Sequence, residues 1–124
     1  MPKVPDAAKK ELTLKANSLV DSFFKPTYVQ PPPPATLLIN YVVDVFTKWA
    51  GQNLYFCAKY QSPGNNETAP PSTFEVKFAR LRYIDRNRVG LAFARPSGAW
   101  VELFSPVSLE ECFQILQEDS HFEL

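Results

Sequence analysis

Catalysis by an activated nucleophile needs a base within hydrogen-bond reach, and that base is most often histidine. This chain has one histidine, His121, close to its C-terminal end. It reads as a surface residue of a tail. The two cysteines, Cys57 and Cys112, lie inside apolar periodic segments and have no His or second Cys at metal-ligand spacing. They are expected as buried free thiols. Asp44 and Glu75 are single acids on different expected strands. Glu110 and Glu111 open an expected helix, where negative charge offsets the helix dipole. The four glycines form no phosphate-binding loop. No catalytic residue, metal site or cofactor is therefore expected, and the balance leans away from an enzyme.

Charge and aromatic placement carry more information. The thirteen basic and thirteen acidic residues cancel, so nothing pulls the whole molecule toward nucleic acid or anionic lipid. Yet Lys77, Arg80, Arg82, Arg86, Arg88 and Arg95 meet only Asp85 in their segment. Glu102, Glu110, Glu111, Glu118, Asp119 and Glu123 follow with no base among them. Two solvated faces that attract each other, within or between subunits, explain this best. The arginines also interleave with Phe78, Tyr83 and Trp100. A sheet of that kind can stack single-stranded nucleic acid, but there is no RNA-recognition signature and aromatics at strand spacing usually form core. Nucleic acid is thus a weaker alternative.

The elements that position these residues follow from periodicity. Residues 73–84, 88–95 and 99–104 alternate as three strands joined by tight turns. In the first, Phe74, Val76 and Phe78 give way to Ala79, Leu81 and Tyr83. That one-residue slip at 78–79 predicts a β-bulge or a change of covered face. Gly90, Ala92 and Ala94 leave room for a close approach. Arg95-Pro96-Ser97-Gly98 has type I turn chemistry. Upstream, residues 7–25 form an expected helix with Asp6 as its cap and Pro26 as its stop. Its apolar face holds Leu12, Ala16, Leu19, Val20 and Phe23. The prolines at 31–34 read as a stiff polyproline connector. Residues 37–49 read as a strand with Ile39, Tyr41, Val43, Val45 and Trp49 on one face. Residues 54–60 return after a turn. Ser108 and Glu111 make a capping box for a last helix bearing Leu109, Cys112, Phe113 and Leu116.

This is the size of one domain, spanning residues 1–124, with flexible segments expected at 1–6 and 61–72. The fold class is α+β: a five-stranded antiparallel meander, an N-terminal helix on one face and a short C-terminal helix near an edge. Cystatin-like architecture is the analogy. One helix covers one sheet face, so surplus apolar residues predict an interface at Val89, Leu91, Phe93, Trp100 and Phe104. A homodimer is the expected partnership, with another protein partner also possible. The leading function is a non-catalytic binding or assembly module. The alternative is a small-molecule pocket between helix and sheet, with Tyr41, Trp49, Tyr60 and Tyr83 as ligand-binding residues. No signal peptide or membrane span is legible, which predicts a cytoplasmic protein.

From Glu75 onward, the run Val76-Lys77-Phe78-Ala79-Arg80-Leu81-Arg82-Tyr83, then Gly98-x-Trp100, Leu103 and a helix closing in Asp119 and Phe122, resembles an uncharacterised bacterial family, domain of unknown function 3024. The order of helix, proline-containing connector, long hairpin, tryptophan strand and acidic helix is similar across residues 7–122. The chain departs from the family pattern at Ala92-Phe93, where an aromatic pair is frequent, at Asp119-Ser120, where the family has Asp-Pro, and in its longer loop at 61–72. The resemblance implies a fold and no activity.

Overall fold

The computed structural model describes residues 4–29, 31, 39–63 and 72–124. Helix α1 (Asp6–Leu19) buries Leu12, Ala16 and Leu19, the expected one-sided stripe. Its cap position is Pro5, one residue before the expected cap. Asp6 therefore sits in the first turn, where its charge meets the dipole. Val4 is buried in the core, ahead of the expected helix start at residue 7. The end of the helix departs further. Val20–Phe24 wind as a π-helix, and α2 (Lys25–Tyr28) continues the rod through Pro26. An α-helical proline would crowd the carbonyl of Ser22, four residues back. The wider π turn comes just before it and relieves that crowding. The extra residue shifts the helical phase, so Phe24 is fully buried and Phe23 only partly.

The strands are β1 (Tyr41–Ala50), β2 (Asn53–Ser62), β3 (Ser72–Asp85), β4 (Arg88–Ala94) and β5 (Trp100–Ser108). They form one antiparallel meander in the order β1-β2-β3-β4-β5. The expected loop at 61–72 is shorter than its bounds, because both ends are strand; residues 64–71 lie outside the described part. So do residues 1–3 and most of the polyproline segment. The expected first strand begins later, at Tyr41. The last runs on through Pro106 to Ser108, where the Ser108 side chain accepts from the Glu111 N–H at 3.1 Å and starts α3 (Leu109–Glu118). The Arg95 turn closes as expected, with Gly98 N–H donating to the Arg95 carbonyl at 2.8 Å.

The phase slip at 78–79 is a bulge. Phe56 pairs with Ala79 and Cys57 with Lys77, leaving Phe78 as the extra residue. Phe78 and Ala79 are both buried. A second bulge at Val43 separates the pairs Val42–Tyr60 and Asp44–Lys59. It places Val42 in the core with Val45, while Tyr41 and Val43, expected on that face, are only half-buried.

Contacts across the layers define the covered face. Trp49 Nε1 donates to Thr13 Oγ1 at 2.8 Å, and Thr47 Oγ1 donates to Asn17 Oδ1 at 2.7 Å. The Phe24 ring packs on Phe56 and Phe78. Leu54, Leu81, Leu91 and Phe104 form one row across four strands by register. Cys112 and Leu116 of α3 join this same core. Both helices therefore lie on one side: α1 against β1, and α3 against β4 and β5. Val89, Leu91, Phe93 and Phe104 are thereby covered from within the chain, and among the described residues no helix lies on the opposite face.

Candidate functional site

The helix-free face holds the alternate residues of each strand, and it is cationic and aromatic. Lys77 Nζ lies 4.5 Å from the centre of the Tyr55 ring, and the Arg80 guanidinium 5.4 Å from that of Trp100. The two rings are 5.5 Å apart. Such cation–π stacks hold long side chains flat against a sheet. Arg80 Nε is buried without a hydrogen-bond partner among the described residues. Two acids on this face are neutralised: Lys48 pairs with Glu75 at 3.3 Å, and Arg82 with Glu102 at 3.0 Å. Arg82 also donates to Ser105 Oγ at 3.1 Å. The small residues of β4 make this possible. A Cβ on Gly90 would overlap the Glu102 carboxylate, so the close approach anticipated there is made by the Arg82–Glu102 pair.

A second feature is the arm formed by the end of β2 and the start of β3. It projects beyond β4, whose pairing with β3 begins at Arg80. Residues 72–77 are all exposed, and Tyr60 stacks on Phe74 with ring centres 5.3 Å apart. The third feature is a groove of about 590 Å³ between the helices. Leu19, Leu109 and Phe113 give it apolar walls, and Lys15, Ser18, Ser22, Asn87, Glu110 and Gln117 its polar ones. Sequence reasoning missed this groove, because nothing local in either helix says that the two lie side by side.

The four residues expected to line a ligand pocket do not converge. Trp49 is a latch between β1 and α1 through Thr13. Tyr83 borders a crevice of about 10 Å³ beside Leu12 and Val89. Tyr60 belongs to the projecting arm, and Tyr41 starts β1 opposite Gln61. The expected interface set also divides. Val89 and Leu91 are buried in the core, and Phe93 and Phe104 pack against it. Trp100 points to the opposite face. The cause is an irregularity in β5, where Glu102 pairs with Ala92 but Phe104 with Leu91. One extra residue there turns Phe104 to the helix side.

Cys57 and Cys112 are free and buried. Burial pushes the Cys112 thiol up to about 12. It also raises Cys57, against the pull of Lys48 and Lys77. Buried thiols of this kind suit packing and not nucleophilic chemistry. Among the described residues no cluster of His, Cys, Asp or Glu is arranged to hold a metal ion, and no helix is long and apolar enough to cross a membrane.

His121 is a half-exposed surface residue that packs against the body of the fold. Its ring centre lies 4.6 Å from that of Phe93, its Nδ1 is 2.6 Å from Asp119 Oδ1, and Phe122 beside it is buried. The backbone N–H of His121 donates to Asp119 at 2.9 Å and, with the ring, holds that carboxyl below its ordinary range. A carboxyl depressed by folding stabilises the protein above its unfolded pKa of about 3.9. That contribution is lost as pH falls through the lower folded value. Urea midpoints measured from neutral pH downward should therefore decline below about pH 4. Asp119→Asn, less stable at neutral pH, should show a shallower decline. Parallel curves for the two proteins would refute this role.

The sequence model of the family described as Domain of unknown function (DUF3024) matches residues 4–123. No curated protein and no solved structure matches the chain. The family match takes in both long helices and every strand of the meander, so the chain belongs to DUF3024.

Proposed function

We propose that this protein is a non-catalytic binding and assembly module that acts by self-association. The observation that supports it is the projecting arm, on which Phe74 and Val76 are 41% and 39% exposed. Large apolar side chains held open beside a strand edge that is unpaired among the described residues usually mark an interface. The helix-free face is a poorer surface for a twofold dimer. Two copies joined there would bring two cationic faces together, and like-charge apposition costs affinity. The layout, a helix across an antiparallel meander, is one we liken to cystatins, and a cytoplasmic location is part of the same reading.

A second reading uses the helix-free face. Arg80 on Trp100 and Lys77 on Tyr55 favour a polyanion with stackable bases, namely single-stranded nucleic acid. One experiment addresses both. Light scattering on a size-exclusion column should give about twice the 14.1 kDa chain mass. A monomer at high micromolar concentration would overturn the assembly reading. Co-elution with a short single-stranded oligonucleotide, lost steeply with added salt, would favour the second.

A further inference from the structure

The geometry points to a specific pairing: two copies join antiparallel through the free edge of β3, with Val76 on the twofold axis. This rests on the self-association reading and names its surface. One edge of β3 is filled by β2 from Asn53–Arg82 to Ser62–Ser72. The other is filled by β4 only from Arg80 to Asp85. Among the described residues, no strand pairs with that second edge along residues 72–78. Backbone donors and acceptors on such an edge are a template for another strand.

The side chains select both the partner and the register. Residues opposite each other in an antiparallel pair share a face, so a twofold axis through two identical strands must pass through a residue. With the axis at Val76, Glu75 stands opposite Lys77 of the second copy, and Lys77 opposite its Glu75. Two opposite-charge pairs form on the helix-free face. On the other face Val76 meets itself, and Phe74 lies opposite position 78 of the second copy, whose own ring is buried against Phe24 and Phe56. An axis at Glu75 or Lys77 would place like charges directly opposite, and one at Phe74 would leave Lys77 without its acid. Opposite-charge pairs directly across two strands are among the contacts that stabilise a sheet. Glu75 and Lys77 are exposed; Glu75 already pairs with Lys48 and Lys77 lies over Tyr55, so the second copy's charges would add to or replace these surface contacts. The same pairing covers Phe74 and Val76.

The test is charge reversal. Glu75→Lys and Lys77→Glu each replace both ion pairs by repulsions, and each alone should weaken the dimer by about tenfold or more. Mixing the two variants sets a chain basic at both positions against one acidic at both, and the dimer should return. The double variant Glu75→Lys/Lys77→Glu should dimerise alone. Urea midpoints close to wild type would show that folding is unchanged. A monomeric wild type overturns this pairing together with the assembly reading. A dimer that survives both single reversals, or does not return on mixing, overturns the β3 pairing alone.

Discussion

Phe24→Ala should remove about 3–5 kcal/mol of stability, the usual cost of truncating a buried phenylalanine. Phe23→Ala should cost well under half of that. Phe24 is fully buried, and its ring centre lies 5.1 to 6.1 Å from those of Phe23, Tyr28, Phe56 and Phe78. It is the point where the helical rod grips β2 and β3. Edge and offset aromatic pairs add about 0.5–1.5 kcal/mol each beyond their buried area. Phe23 touches Phe24 and Tyr28 from outside. Against a typical total of about 5–15 kcal/mol, the Phe24 variant should unfold at much lower urea with an unchanged slope. Equal losses for the two variants would show that the π turn at Val20–Phe24 does not choose between them.

Removing the Phe122 side chain should do comparable damage from the other end of the chain. Phe122 is fully buried, held by a 3₁₀ turn over Ser120–Phe122 that Asp119 caps through the His121 N–H. It shares the core with Leu116 and Leu91. Phe122→Ala should cost about 3–5 kcal/mol. A chain stopped after Asp119 should be at least as unstable, whereas one stopped after Phe122 should lose far less, only the partly buried Leu124 packing. Thermal melts of the three resolve this. A chain stopped after Asp119 that melts with wild type would mean the tail contributes nothing to the core.

The local elements were legible because their causes are short-range. Period-two alternation marks every strand, and Ser108 with Glu111 marks the start of α3. Pro96 and Gly98 mark a turn. The bulge at Phe78 was readable too, since a slip in alternation shows in the order of side chains alone. Cys57 and Cys112 were placed by their apolar neighbours.

What the sequence left open depends on partners distant along the chain. Phe23 and Phe24 are chemically alike, and a single extra residue in a π turn decides which one enters the core. Trp100 and Phe104 have the same parity, and read locally they share a face. The irregular pairing of Glu102 and Phe104 with Ala92 and Leu91 separates them. A one-residue slip inverts every side chain beyond it, and only the neighbouring strand sets that slip. The same holds for the helices. Each has one apolar stripe, which requires burial but names no side of the sheet. Only packing placed both on one face, opened the groove between them, and left the other face to Lys77, Arg80, Tyr55 and Trp100.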